Sequence, residues 1–263
     1  MELYQAIILG IVQGLTELLP VSSSAHLNLI PWIFNWANSE AFEAFDVALH
    51  VGTLFAIGIF FFKDWIELIK GGYNQTVKRQ PSFEGKMFWY IVIATIPGAI
   101  IGFLLDHFLE DTLKQPLIIA IALIVMGIIL YIVDKKCKIT TDYEHLSFKQ
   151  SFIIGFSQCL AFIPGVSRSG ITMTVARILG VDRASAAKYS FMLSAPIVLG
   201  AAIYKLKDFV FGLNFFIGVL VSFIVGFFVI KFLLEYLKKG SFKLFAIYRI
   251  IVGIIVIILL MIR

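Results

Sequence analysis

The chain has 263 residues, of which 60% are hydrophobic and 15% charged, with 26 phenylalanines and a mean hydropathy of +0.94. Soluble domains lie near about 45–50% apolar and about 25% charged, so a water-soluble fold would have to expose most of these apolar side chains. A soluble enzyme, a disulfide scaffold and a disordered chain are thereby excluded, and the chain reads as an all-α polytopic membrane protein.

The net charge of +5 does not point to nucleic acid, because the basic residues lie between apolar runs rather than along one face. Cys137 and Cys159 are too few for a disulfide or metal framework and read as free thiols. The first basic residue is Lys63, so the amino-terminal apolar stretch lacks a positive n-region and no cleavable signal peptide is expected.

In chain order, the first apolar region, 2–19, breaks at Pro20, passes through Val21-Ser22-Ser23-Ser24-Ala25-His26 and resumes in a short stretch to Trp36. A helical span needs about 20 largely apolar residues to cross ~30 Å of hydrocarbon. Three such segments follow, at 45–62, 87–105 and 115–133. A second broken region covers 150–163, breaks at Pro164-Gly165, continues through Val166-Ser167-Arg168-Ser169-Gly170 and runs on to Leu179. Three more spans complete the chain, at 189–204, 209–230 and 244–262. None alternates with the period of two that a membrane barrel needs. Non-helical backbone at membrane depth survives only where protein or a water-filled cavity supports it. Both broken regions therefore read as re-entrant helix-loop-helix hairpins whose polar tips meet near the midplane.

The two broken regions are copies of each other. At a constant offset of 145, Gly10, Gln13, Leu15, Val21, Ser22 and Ser24 recur as Gly155, Gln158, Leu160, Val166, Ser167 and Ser169. Farther on, Phe45/Tyr189 and Leu49/Leu193 pair at an offset of 144. The chain thus divides into a first repeat at about 1–133, a linker at 134–149 and a second repeat at 150–263, all in one membrane domain. Lysines and arginines concentrate between 63 and 86, 135 and 149, and 231 and 243, whereas 106–114 is net acidic. Placing the basic loops in the cytoplasm satisfies the positive-inside rule with six spans and two hairpins. Both termini then lie outside, and the second repeat is inverted relative to the first.

Chemistry is expected where the copies differ. Glu17 faces Phe162 under the offset, Ser23 faces Arg168, and His26 faces Ile171. Glu17, one turn beyond Gln13, is an acid on an apolar helix, and ionisable groups in membranes mark function unless they are structural partners, here of Arg168. It reads as a metal ligand or as a base for a serine. Ser22, Ser23 and Ser24 sit where a second half-helix starts, as N-caps or as phosphate ligands, and Ser167 and Ser169 offer a second such terminus. Arg168 between those serines suits a multiply charged anion. His26, one turn past the serines, is either a core histidine or a nucleophile or acid–base group. His50, one turn after Asp46, either lines the cavity or is a satisfied buried pair. His107 and His145 fall in loops, and Arg249 is a lone charge in the last span that snorkels or pairs. The same parts serve phosphoryl transfer.

At these residues the sequence resembles the undecaprenyl-pyrophosphate phosphatase family, the membrane phosphatases linked to bacitracin resistance. The family's first motif, an acid or Gln, three residues and then Glu, stands as Gln13 to Glu17, followed by the run from Pro20 to His26. The Gln form means that two acids cannot both bind metal here. The second motif is intact from Pro164 and Gly165 through Ser167, Arg168 and Ser169 to Thr172, and a Phe-Asp-x-x-Leu-His-x-Gly-Thr stretch runs from Phe45 to Thr53. The resemblance implies a hydrolase of the bacterial plasma membrane, dependent on magnesium or calcium. It would convert undecaprenyl pyrophosphate to the monophosphate and so recycle the lipid carrier of cell-wall synthesis. Glu17, Ser23, His26 and Arg168 would be catalytic, with Glu17 also on the metal. Gln13, Ser22, Ser24, Gly165, Ser167, Ser169 and Thr172 would bind substrate. Ser23, His26 and water remain alternative nucleophiles, a homodimer is left open, and the rival reading is a transporter or flippase for a prenyl-phosphate lipid or related anion.

Overall fold

The computed structural model describes residues 1–36, 40–105 and 113–263, and every regular element among them is helical. The order is α1 (Leu3–Thr16), α2 (Ser23–Ile33), α3 (Glu40–Phe60), α4 (Phe62–Val77), α5 (Phe83–Leu105) and α6 (Pro116–Lys136), then α7 (Phe148–Ser157), α8 (Arg168–Ile178), α9 (Arg183–Tyr204), α10 (Leu213–Leu237) and α11 (Lys243–Ile262). Short 3₁₀ turns at Gln158–Phe162 and Leu206–Asp208 follow α7 and α9.

Helices α5, α6, α9, α10 and α11 are each long and apolar enough to cross a membrane. The pair Ala44–Phe60 and Phe62–Val77 passes the same test only together, bent by 78°, so the described residues contain five or six membrane-capable helices. The segment after residue 62, expected as a lysine-bearing loop, is the helix α4. Its Lys63, Asp64, Glu67 and Lys70 cannot continue an apolar span cheaply, which accounts for the bend. The acidic loop 106–114 and His107 lie outside the described residues, apart from the end of that loop at Leu113 and Lys114.

The outward faces are apolar. Leu117, Ile121, Val125 and Ile128 on α6 and Ile251, Ile254 and Ile258 on α11 are exposed at three- and four-residue spacing, as helices that face lipid require. Inside, small residues let backbones approach. α1 lies against α10, where a Cβ on Gly14 would come within 2.7 Å of the Val225 side chain, and α7 lies against α5, with Gly155 on the backbone of Ala94. A buried ionic knot ties the ends of four helices. Asp134 at the end of α6 accepts from Arg177 Nε of α8 (3.4 Å), Arg183 Nε of α9 (2.6 Å) and the Phe242 amide just before α11 (2.9 Å). Arg177 completes its bonds on the carbonyls of Val181 and Cys137.

Candidate active site

Two interruptions of the helical chain meet in the interior. α1 ends at Thr16, Pro20 follows, and α2 starts after Ser22; the 3₁₀ turn ends at Phe162, Pro164 and Gly165 follow, and α8 starts after Ser167. Ser22 and Ser167 both hold positive φ, 78° and 72°, a region that costs a residue with a Cβ energy and clusters at functional sites. Each is an N-cap whose hydroxyl accepts from the amide three residues on, Ala25 at 3.3 Å and Gly170 at 3.0 Å. Each also bonds the serine two residues later, Ser24 or Ser169, at 3.2 Å. α2 and α8 are 11 residues each. Their first amides lack intrahelical acceptors and carry the positive end of the helix dipole, which suits an anion.

Glu17, the cap of α1, is the hub between the breaks. Arg168 Nη2 donates to its Oε1, and the Ser23 hydroxyl donates to its Oε2. Gln13 Nε2 approaches Oε2 at 3.3 Å and His50 Nε2 at 3.2 Å. The sequence-derived residues Gln13, Glu17, Ser23 and Arg168 are therefore brought together from both breaks, with the Glu17 side chain 7% exposed and Arg168 19%. Arg168 Nη1 reaches back to the Ser194 carbonyl of α9 at 3.5 Å. A serine hydroxyl on a carboxylate, beside a guanidinium and two helix N-termini, supplies a nucleophile, a proton acceptor and an anion clamp.

The histidine in this cluster is His50, not His26. His50 Nδ1 donates to the Asp46 carbonyl at 2.7 Å, and its ring, 29% exposed, is the open edge of the site. Both ring nitrogens face oxygen acceptors, an arrangement that a doubly protonated ring satisfies. His26 turns the other way. Its Nδ1 meets the Ser22 carbonyl at 2.7 Å and its Nε2 the Tyr248 hydroxyl at 2.7 Å, with the two rings stacked. The Ser22 carbonyl only accepts, so Nδ1 carries a proton, while the Tyr248 hydroxyl can give a hydrogen bond to Nε2 or take one from it. Tyr248 had no signal in the sequence, being one aromatic in an apolar helix.

The remaining expected ligands are engaged within the protein. Ser169 Oγ donates to the carbonyls of Glu17 (3.1 Å) and Leu19 (3.0 Å), stitching the second break to the first. Thr172 is buried, its hydroxyl bonded to the Arg168 carbonyl (2.8 Å) and to Ser190 of α9 (2.7 Å). Gly165 turns at φ +96° against Ile119 and gives its carbonyl to Arg249. His145, in the loop after α6, bonds Asp142 at 2.7 Å; that bond raises the histidine's pKa and lowers the carboxyl's.

Hard divalent cations take oxygen donors, and magnesium is commonly held by one or two carboxylates together with substrate phosphates. Glu17 offers one carboxylate, and the buried Gln13 Oε1 has no hydrogen-bond partner. Among the described residues no three His, Cys, Asp or Glu side chains gather as a cage. The donor set fits a cation shared with a bound phosphate and does not fit an all-protein metal site.

A sequence profile of the family described as bacitracin resistance protein BacA matches residues 6–255. An undecaprenyl-diphosphatase of Pelotomaculum thermopropionicum is 50% identical over 98% of this chain and 97% of its own length. Proteins of the same name from Desulforudis audaxviator and Moorella thermoacetica are 44% identical over 100% of both chains and 45% identical over 98% of this chain and 97% of their own. Similarity of that extent runs through both broken regions and the spans around them, and this chain belongs to the bacitracin resistance protein BacA family.

Proposed function

We propose that the protein hydrolyses undecaprenyl diphosphate to undecaprenyl phosphate and inorganic phosphate in the bacterial plasma membrane, recycling the lipid carrier of cell-wall synthesis. The observation that carries this reading is the Ser23 hydroxyl set on the Glu17 carboxylate, facing Arg168 across the two breaks. The name undecaprenyl-diphosphatase borne by the relatives supports the substrate.

Arg168 and the first amides of α2 and α8 hold the diphosphate. Ser23 Oγ attacks the terminal phosphorus while its proton passes to Glu17. The bond from that phosphorus to the bridging oxygen breaks, and undecaprenyl phosphate leaves. Water then attacks the serine phosphate, giving up a proton, and the Ser23 oxygen recovers one as phosphate departs. His50, on the other side of the carboxylate, steadies its charge. A magnesium or calcium ion held by Glu17, Gln13 and the substrate would neutralise charge on the phosphoryl oxygens. A carrier for the same lipid needs cationic and amide contacts but has no use for a hydroxyl braced on a carboxylate, which favours the hydrolase.

In the same reading the chain has six spans and two re-entrant hairpins, formed by two inverted repeats at about 1–133 and 150–263 joined by a linker, with both termini outside. Support comes from the matching cap dihedrals of Ser22 and Ser167, and from the reciprocal packing of α1 on α10 of the second repeat and α7 on α5 of the first. The test is phosphate release from undecaprenyl diphosphate by purified protein, with magnesium or with chelator. Wild type should be active with metal and stop with chelator, and folded Ser23→Ala should lose about 10²-fold or more. Ser23→Ala near wild-type activity would remove the serine from the mechanism.

A further inference from the structure

Arg249 lies in the first half of α11 (Lys243–Ile262), 0% exposed, with apolar residues ahead and behind along the helix. Cations at membrane depth are costly, and they pair or line a functional site. None of the hydrogen bonds that Arg249 makes goes to a carboxylate. Its Nη1 donates to the Pro20 carbonyl at 3.1 Å, and its Nη2 to the carbonyls of Gly165 at 2.7 Å and Val166 at 2.9 Å. All three belong to the breaks, where the chain leaves the helix and its carbonyls lose their partners four residues on. One guanidinium thus closes both interruptions, which lie 145 residues apart in the repeat.

Pro20 stands three residues from Glu17 and three from Ser23, and Gly165 and Val166 stand three and two residues before Arg168. Every reacting group is therefore within one short, non-helical link of the fork. A planar, rigid guanidinium fixes the spacing of the carbonyls it bridges, whereas an ammonium is a single point. Ser169, bonded to the Glu17 and Leu19 carbonyls and to Ser167, is a second tie between the breaks, made through a single hydroxyl rather than a rigid fork. We propose that Arg249 is a positioning residue for the reaction, holding the Glu17–Ser23 break and the Arg168 break in register without touching substrate. This rests on the diphosphatase reading above and adds to it a residue that acts through the backbone.

The experiment compares wild type, Arg249→Lys and Arg249→Gln in one detergent, measuring kcat and KM for phosphate release from undecaprenyl diphosphate, with the gel-filtration profile and apparent Tm of each. A misplacement of about 1 Å at a reacting group costs on the order of 100-fold. The expected result is a kcat lower by about 10- to 100-fold in both folded variants, with KM within about twofold of wild type. Lysine should fail to restore the rate although it keeps the charge. Unchanged kcat in a folded variant would overturn the proposal, as would a raised KM at unchanged kcat, which would put Arg249 on the phosphate. Loss of the folded peak in both variants would assign the residue to folding alone and also overturn it. Wild type that releases no phosphate would sink the diphosphatase reading itself, an outcome distinct from failure of the variants.

Discussion

Glu17 has two oxygens and four donors around them: Arg168, Ser23, Gln13 and His50. A carboxylate so crowded is held in one place, which is what a base for Ser23 needs. The ranking of the histidines follows from the same contacts. Replacing His50 with Asn should lower kcat by about 10²-fold, the low end for lost acid–base support, in a steady-state phosphate assay. Tyr248→Phe removes a single hydrogen bond from His26, worth about 1 kcal/mol, and should cost less than about tenfold in the same assay. A Tyr248→Phe enzyme more impaired than His50→Asn would invert the assignment. Glu17, Ser23 and Arg168 were legible in the sequence because polar groups break an apolar pattern and because they differ between the two broken regions at the offset of 145. His50 was not placed, since a histidine one turn after an aspartate reads equally as a satisfied pair. Arg249 was visible as a charge, but its partners are backbone carbonyls, which leave no trace in a sequence.

Helix ends carry much of the stability of the breaks. Ser167 caps α8 through the Gly170 amide, so Ser167→Ala should cost about 1 kcal/mol and lower the apparent Tm by about 2–4 °C in detergent. The Asp134 knot matters more. Breaking a buried pair by removing one partner costs about 3–5 kcal/mol, and here two arginines, one of them 1% exposed, would lose the carboxylate they share. Asp134→Ala should therefore give little folded protein by gel filtration, whereas a folded yield equal to wild type would show that the arginines find other partners. The half-helices α2 and α8 were readable from Pro20 and Pro164 and from the serines that follow. The helix α4 was hidden, because a lysine-bearing amphipathic segment after a span looks like a loop until its glycines are seen to pack on α5.

At the scale of the whole molecule, apolar faces point outward, and the buried groups His26, Asp134, Arg177 and Arg249 lie at the breaks and at the Asp134 knot. The positive-inside orientation can be read with a native thiol. Cys137 follows α6 in the lysine-rich linker and is free and partly accessible. In intact cells carrying the Cys159→Ser variant, a membrane-impermeant thiol reagent should label Cys137 only after permeabilisation. Labelling of intact cells would reverse the orientation. The likeness of the two broken regions was legible because a constant offset survives in six identities, while their meeting in one site through Glu17 and Arg168 could be seen only in three dimensions.

Glu17 and Arg168 acting as one unit across the two breaks is the centre of the account. The most direct measurement is metal-dependent phosphate release from undecaprenyl diphosphate by wild type, Glu17→Gln, Arg168→Ala and the double variant, each verified as folded. Wild type should be active, each single change should cost about 10²-fold or more, and the double should fall within about tenfold of the worse single, because groups that act together are not additive. An inactive wild type, single variants near full activity, or a double variant whose loss is the product of the two would contradict it.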